Sequence, residues 1–451
     1  MKVHGLALTP PPGFDPDCQV SPELLAACLA RYSRSNLGIE AILAGIDRVN
    51  PEKAVEGIFR FVDYGHASIG GLTGGIAMVV DGCSMLLAYK LFEIAQLADG
   101  QESSTRYIVL DESNLPTPEE LGVPGALAGE WREIMGEGFR LYNEVAAQLD
   151  AAATARPELV RAPAGALARV VERLRRNYAL DRARYFIPLA TRTNVALVMT
   201  ARVWAESIRQ LDALGWPEAR RAAGLLRGEL EKFTPRLIRH SHPDEAATAQ
   251  AANWLSGSQR WIREQGVGTE NLPDEVFVAV ERSAPPFLPA GQSVPDAFRG
   301  KTNRYSITGE AIRRMFVRAG WNNVALAELR DLNRHRSGCR FTPLIPAGFF
   351  LPPDVRPAGL ASFLARYRAL VVALASADAA PGAHFYGYFL GTQTPFEHST
   401  HADKFIYEVE LRTGLGAHFR YAEHLAAAHA AFLRQVPEAA PYVQVGSAEP
   451  E

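Results

Sequence analysis

The stretch Gln101-Glu102-Ser103-Ser104-Thr105-Arg106-Tyr107 decides how this chain is interpreted. It follows a predicted amphipathic helix at 84–97, and in an extended segment Glu102, Ser104 and Arg106 share one face. An acceptor, a hydroxyl donor and a guanidinium on one face suit a ligand with a phosphate and a sugar hydroxyl. The same pattern also fits a polar surface loop, whose exposed Glu–Arg pair contributes little stability.

A second polar stretch, Arg334-His335-Arg336, lies at the end of a predicted helix at 322–334. With Arg340 it places three arginines and a histidine within 334–340, an arrangement that repels itself unless an anion shares the space. The negative end of the helix dipole offsets part of that repulsion. A solvated basic helix end is therefore the other interpretation.

A third candidate is Arg412, the last residue of a predicted helix at 402–412 that Gly414 and Gly416 terminate. An arginine in this position reaches into a cleft beyond the helix end, or it pairs with the terminal carbonyls of its own helix. Pattern alone leaves both interpretations open.

The remaining motifs argue against a metal enzyme and against an enzyme that uses one of its own side chains as the nucleophile. His398 and His401, beside Glu397 and Asp403, have the weak spacing His-x-x-His, and we predict no metal site. The sequence contains no Gly-x-Ser-x-Gly, Walker or Gly-x-Gly-x-x-Gly motif. Any chemistry is therefore expected to depend on a bound cofactor.

Composition limits the class of protein. The chain has 451 residues, of which 47% are hydrophobic and 22% charged, with a formal net charge of −3. That charge argues against a general nucleic-acid or membrane-surface binder, so we expect no nucleic-acid partner and no membrane. The four cysteines are far apart, and the N-terminus lacks the apolar core of a signal peptide. We therefore expect a cytoplasmic protein.

The length suits two domains. We predict a first module at 1–264, a proline- and glycine-rich linker at 265–300 with a strand candidate at 276–280, and a second module at 301–451. A faint internal repeat relates the stretch beginning at Tyr185 to the one beginning at Tyr388. We also predict a strand at 76–80 and helical patterns at 128–152, 163–178, 192–214, 217–234, 308–318, 322–334, 358–376, 402–412 and 421–435.

Taken together, these motifs resemble the flavin-dependent thymidylate synthases (the ThyX family), whose hallmark is Arg-His-Arg, a short gap and Glu-x-Ser-x-Arg-Tyr. The first half resembles a family module at Ala30-Arg31-Tyr32-Ser33, at Gly65-His66-Ala67-Ser68 and at 102–107, but Ile94-Ala95-Gln96 replaces Arg-His-Arg. The second half keeps Arg334-His335-Arg336 and Arg412 and lacks the Glu-x-Ser stretch. Each half therefore keeps what the other has lost.

The resemblance implies an α/β (α+β) fold of two ThyX-like modules, each a mixed sheet flanked by long helices, packed as a pseudo-dimer with one composite site. It implies catalytic roles for Arg334 and Arg412, which would meet the pyrimidine carbonyls. The substrate-binding residues it implies are Gln101, Glu102, Ser104, Arg106, Arg334 and Arg412. The FAD-binding residues it implies are Ser33, His66, Ser68, His335, Arg336 and His401.

The function implied by the resemblance is transfer of a one-carbon unit from methylenetetrahydrofolate to C5 of dUMP, with FAD as cofactor and NADPH as reductant. A homodimer would then form a four-module assembly. Thr200 and His401 replace an asparagine of the family, and Asp331 replaces a glutamine. Methylation of another uridine nucleotide, or a catalytically silent nucleotide- or flavin-binding protein, are therefore the alternatives.

Overall fold

The structure, a computed structural model, describes residues 1–6, 22–47, 50, 52–59, 75–95, 97–105, 108, 110–162, 165–233, 238–283, 287–288, 291–376, 379–414 and 416–446. In these ranges no helix is both long enough and apolar enough to cross a membrane.

The α-helices of the described chain are, in order, α1 (Pro22–Tyr32), α2 (Ile39–Ala44), α3 (Glu52–Phe59), α4 (Met85–Ile94), α5 (Gly125–Ala155), α6 (Ala168–Ala183), α7 (Ala201–Ala213), α8 (Pro217–Phe233), α9 (Glu245–Gln265), α10 (Val294–Ala297), α11 (Glu310–Arg313), α12 (Leu326–Leu332), α13 (Leu360–Ser376), α14 (Ala402–Arg412) and α15 (Phe419–Gln435).

The strands form two sheets. They are β1 (Lys2–Leu6), β2 (Ile76–Ser84), β3 (Asp99–Glu102), β4 (Arg192–Met199), β5 (Val276–Glu281), β6 (Phe316–Ala325), β7 (Cys339–Phe341), β8 (Gly348–Phe349) and β9 (Thr392–His401). The first sheet has the order β1-β2-β4-β3. The second has the order β5-β6-β9-β7, and β8 also pairs with β9.

The predicted combination of sheets and helices is confirmed, but the expectation of mixed sheets is wrong for the described strands. Their pairings are all antiparallel. The end of β2 lies beside the start of β4, where Ser84 pairs with Arg192. Because the chain between these strands returns to the end of the sheet that it left, β4 runs opposite to β2.

The chain divides into two compact units that are discontinuous in sequence. Unit 1 comprises Met1–Phe139, Pro188–Gln265 and Arg366–Tyr388. Unit 2 comprises Arg140–Ile187, Gly266–Ala365 and Phe389–Glu451. Each unit thus includes a helical segment from the opposite half of the sequence. The predicted modules at 1–264 and 301–451 are based on the sequence repeat and not on compactness. They therefore stay a prediction.

The core of unit 1 forms where helices α1, α2 and α3 pack on one face of the first sheet. Leu25 and Leu29 of α1 and Ile39 of α2 are buried against Val79 of β2 and Val198 of β4. Fully burying a leucine side chain contributes about 1.5–3 kcal/mol. In β4 every residue after Arg192 is buried, and in β2 six of the nine residues are buried.

The two sheets share an irregularity as well as a strand order. The register of β2 on β4 shifts between Val80 and Cys83, and that of β6 on β9 shifts between Trp321 and Val324. A bulge of this kind increases local twist and redirects the chain. In each sheet the irregular strand continues directly into a helix, α4 or α12, so that this helix leaves each sheet at a comparable place.

Several sequence predictions are corrected by these elements. The pattern at 192–214 is not one helix but β4 followed by α7, and the patterns at 308–318 and 322–334 contain β6. The strand predicted at 76–80 is confirmed as part of β2, and the strand candidate at 276–280 is confirmed as β5. The helix predicted at 402–412 is confirmed as α14.

The internal repeat stays a prediction, and the positions of the observed helices favour a different register for it. Helices α7 and α14 begin at Ala201 and Ala402, and Tyr185 precedes the first by as many residues as Tyr386 precedes the second. Tyr386, rather than Tyr388, is therefore the residue at the position of Tyr185.

Candidate functional site

The segment 333–338, which we call the Arg-His-Arg loop, joins helix α12 to strand β7 in unit 2. Its first turn continues the helix, because the backbone NH groups of Arg334 and His335 donate to the carbonyls of Asp331 and Leu332 at 3.2 and 3.1 Å. It ends at Gly338, whose φ is 94°. A Cβ on Gly338 would lie 2.0 Å from the carbonyl oxygen of Ser399, so the tight approach of the loop to β9 requires glycine.

His335 contacts Arg412, as expected for residues of one site. The Nε of Arg412 donates to Nε2 of His335 at 2.9 Å. Nε2 is therefore unprotonated, and the ring is neutral. Burial and the nearby positive charge of Arg412 lower the pKa of His335 to about 3, although the Glu408 carboxylate acts in the opposite direction. The histidine thus orients the guanidinium without adding charge.

Arg334 has no counter-charge among the described residues. Its side chain is partly buried, and its Nε is buried without a hydrogen-bond partner. Across the described ranges no acidic side chain forms an ion pair with it. By contrast, Arg184 pairs with Asp331 at 3.3 Å and donates to the carbonyl of Ala327 at 3.1 Å. A partly desolvated, unpaired guanidinium favours an anionic ligand.

A buried ion pair lies behind the Arg-His-Arg loop. His398 of β9 makes a 2.9 Å hydrogen bond through Nδ1 to Oε2 of Glu408. Its Nε2 makes a second bond, also 2.9 Å, to the carbonyl oxygen of Ser337. Burial opposes protonation, but the Glu408 carboxylate and the Ser337 carbonyl outweigh it and raise the pKa of His398.

In unit 1 the structure places two of the predicted segments side by side. Gln101 and Glu102 are buried in β3, opposite Ala196 and Val195 of β4. The backbone NH of Ser104 then donates to the carbonyl oxygen of Ser33 at 2.9 Å. Because β3 ends at Glu102, the expected alternation of Glu102 and Ser104 on one strand face does not continue to Ser104.

Ser33 terminates helix α1. Its hydroxyl donates to the carbonyl oxygen of Ala30 at 2.8 Å, and its side chain is buried. The hydroxyl of Ser103 reaches the carbonyl of Ser35 at 3.4 Å, so a second bond ties the two segments together. The predicted ligand residues Arg106, His66 and Ser68 lie outside the described residues.

The other candidate residues of the second half are more exposed, or their side chains already interact with other protein groups. Arg336 is partly buried, and its charge contributes to the lowered pKa of His335. His401 is exposed, occupies the N-cap position of α14 without a capping side-chain hydrogen bond, and contacts the ring of Phe316 edge-on at 5.8 Å. His398, the other half of the His-x-x-His pattern, uses both ring nitrogens in hydrogen bonds to protein groups. It therefore has no lone pair left for a metal in this arrangement.

Sequence reasoning missed Glu408 and considered His398 only as a metal ligand. Glu408 precedes Arg412 by one helical turn, a spacing that places both on one face of α14. That spacing is the signal that could have linked Glu408 to Arg412 before the fold was known.

Part of the chain matches a known protein family. Residues 18–236 match the model of the family Thy1, thymidylate synthase complementing protein. A flavin-dependent thymidylate synthase of Clostridium tetani is 24% identical over 226 residues, which are 49% of this chain and 83% of that protein. A flavin-dependent thymidylate synthase of Pyrococcus abyssi is 24% identical over 160 residues, 35% of this chain and 53% of that protein.

A second kind of relative has no activity in its name. A UPF0159 protein of Chlamydia pneumoniae is 26% identical over 278 residues, which are 56% of this chain and 51% of that protein. The chain thus spans about half the length of the Chlamydia and Pyrococcus proteins and most of the Clostridium protein.

Proposed function

We propose that this chain is a flavin-dependent enzyme that methylates C5 of a uridine nucleotide, with dUMP as the substrate, because residues 18–236 match the model of the thymidylate synthase complementing protein family. The single observation that carries the proposal beyond the family match is Arg334. This residue presents a guanidinium with a buried, unpartnered Nε and no counter-charge in the described chain. It lies next to His335, which holds Arg412.

The chain's own residues have distinct tasks in this proposal. Arg334 and Arg412 bind the pyrimidine carbonyls and stabilise the negative charge that develops on the ring during bond formation at C5. His335, being neutral, fixes the orientation of Arg412 by accepting a hydrogen bond from its Nε. Gln101, Glu102, Ser104 and Arg106 are the residues that we propose to bind the phosphate and sugar.

The residues near the Arg-His-Arg loop fit a phosphate-bearing cofactor, because the loop carries a second, partly buried arginine, Arg336, beside Arg334. His335, Arg336, Ser33 and His401, with His66 and Ser68, are the residues we propose to hold FAD. When bound, reduced flavin supplies the hydride that completes the methyl group. Methylenetetrahydrofolate is the proposed one-carbon donor, and NADPH is the proposed reductant.

Two observations support a duplicated module. Both sheets have the same order of four strands. The hydroxyls of Tyr185 and Tyr386 donate to buried carboxylates, those of Glu328 and Glu218, at 2.6 Å in each unit. These carboxylates accept from the backbone NH of Ala325 and Ser84, which cap α12 and α4. We propose that the chain works as a cytoplasmic homodimer of four modules.

Ligand binding tests the proposal. Protein purified with FAD is titrated with dUMP, for the wild type, Arg334→Ala and a control, Arg318→Ala, whose exposed ion pair with Glu397 contributes little. Loss of a charged hydrogen bond is worth about 1.5–3 kcal/mol, so Arg334→Ala should raise the Kd for dUMP roughly 10- to 150-fold. The proposal is wrong if the wild type lacks a flavin spectrum and dUMP binding, or if Arg334→Ala binds dUMP as the wild type does.

A further inference from the structure

We propose that the His398–Glu408 pair is a positioning device that holds the Arg-His-Arg loop and Arg412 in their binding arrangement. Neither residue is among those proposed above to touch ligand. The inference concerns how unit 2 keeps its cationic groups in place, and it rests on the proposed function only where nucleotide affinity is measured.

The geometry of His398 requires a charged ring. Its two acceptors are the carboxylate Oε2 of Glu408 and the carbonyl oxygen of Ser337, each at 2.9 Å. Neither the carbonyl nor an ionised carboxylate can donate, so both ring nitrogens must. An imidazolium paired with a carboxylate results, with both side chains 2% exposed. Such a pair tolerates little displacement, because loss of one partner leaves the other charge buried.

The pair connects three elements at the loop. His398 on β9 holds the loop through the Ser337 carbonyl, just after Arg336. Glu408 and Arg412 lie one turn apart on α14, and Arg412 holds the loop through His335. The loop is thus fixed from the strand at one end and from the helix at the other, and His398–Glu408 fixes the strand to the helix.

Glu408 is held mainly by this one pair. Its second oxygen, Oε1, is buried without a hydrogen-bond partner in the described part of the chain. The charge of Glu408 is therefore balanced by His398 and by the positive field of Arg412 and its surroundings. Without His398, Glu408 would be a buried, uncompensated carboxylate on the same helix face as Arg412, and it would compete with the ligand for that guanidinium.

Helix α14 offers a matched control. Glu410, two residues after Glu408, forms another buried ion pair, with Lys301 at 2.6 Å. The exposed fraction of the side chain is 0% for Glu410 and 3% for Lys301. It also accepts from the backbone NH of Gln444 at 2.7 Å. This pair ties α14 to other segments and makes no hydrogen bond to the Arg-His-Arg loop. Glu410→Gln therefore reproduces the loss of a buried ion pair on α14 and spares the loop.

The test compares His398→Gln, Glu408→Gln and Glu410→Gln in the full chain. Hydrogen exchange of peptides that cover 332–341 needs no ligand, and we expect it to become about tenfold faster in the first two variants and to stay at the wild-type rate in Glu410→Gln. Titration with dUMP should show a Kd raised about tenfold or more in the same two variants, with Glu410→Gln within about twofold of the wild type.

The outcomes separate the two proposals. Unchanged exchange at 332–341 in His398→Gln and Glu408→Gln overturns the positioning role, and so does equal acceleration in Glu410→Gln, which would indicate general loosening of α14. A wild-type protein that does not bind dUMP overturns the proposed function, while the exchange experiment still decides whether the pair holds the loop.

Discussion

Replacement of Glu328 by glutamine removes a buried group whose ionisation costs stability, and the size of the effect follows from its surroundings. Glu328 is fully buried at the start of α12. Its Oε1 accepts from the hydroxyl of Tyr185 at 2.6 Å and its Oε2 from the backbone NH of Ala325 at 3.0 Å. Burial raises its pKa from 4.5 to about 7, although the positive charge of Arg184 acts in the opposite direction.

The raised pKa of Glu328 determines whether the free energy of unfolding rises or falls with pH, and over which pH range it changes. Between pH 4.5 and about 7 the folded protein keeps the proton on Glu328, whereas the unfolded chain has lost it. The free energy of unfolding therefore decreases as the pH rises through this window and is constant above it. At about 1.4 kcal/mol per pKa unit, the loss from this single group amounts to ~3 kcal/mol.

Urea unfolding at several pH values measures this effect. We expect the free energy of unfolding of Glu328→Gln, relative to the wild type, to rise by ~3 kcal/mol from pH 4.5 to pH 7.5, on top of a constant penalty for losing one acceptor. The exposed Glu172→Gln is the matched control and should show no such change. A difference between wild type and Glu328→Gln that is the same at both pH values would refute the reasoning.

Three further changes test the packing around the candidate site and the core. Gly338→Ala should cost about 1–3 kcal/mol in urea unfolding, because the residue has φ 94° and faces the Ser399 carbonyl, and it should also weaken dUMP binding; unchanged stability would contradict the close approach. Arg184→Met should cost about 3–5 kcal/mol by removing the ion pair between Arg184 and the partly buried Asp331, and Asp331→Asn in the same chain should restore part of it; no recovery would contradict the pairing. Leu29→Ala should cost about 2–5 kcal/mol as a core cavity, measured by urea unfolding, and a cost below that range would place Leu29 outside the core.

Helices with one polar face were predictable from the sequence. The predicted helix at 402–412 coincides with α14, and the pattern at 217–234 corresponds to α8 at Pro217–Phe233. Both alternate buried and exposed positions with the helical period, which is the signal that periodicity detects. Alanine-rich α9, at Glu245–Gln265, has only a few buried positions, and the sequence reading did not identify it.

The central strands were not predictable in the same way. In β4 every residue from Thr193 to Met199 is buried, so no alternation of polar and apolar residues marks it as a strand. A short apolar run of this kind is equally compatible with a buried helix. The predicted helix at 192–214 therefore joined β4 to the helix that follows it. Strand β6 is different, because its residues alternate between buried and more exposed positions from Phe316 to Asn323, yet the predicted helices at 308–318 and 322–334 overlap it.

The cationic residues of the candidate site were predictable from the sequence, but the residues that hold them in place were not. Arg334 and His335 could be singled out because clustered positive charge is costly without an anion. Arg412 could be singled out because it ends a helix that Gly414 and Gly416 terminate. His398 and Glu408 could not be assigned a role, because their effect depends on β9 and α14 lying beside the same loop. Sequence separation gives no information on that proximity.

Formation of dTMP tests the central claim most directly. The wild type, Arg334→Ala and Arg318→Ala are incubated with FAD, NADPH, methylenetetrahydrofolate and dUMP, and the product is quantified by mass spectrometry. We predict that the wild type and Arg318→Ala form dTMP and that Arg334→Ala forms it at least about tenfold more slowly, since a lost charged contact costs about 1.5–3 kcal/mol. Flavin-loaded wild-type protein that forms no methylated nucleotide, or an Arg334→Ala variant as active as the wild type, would contradict the account.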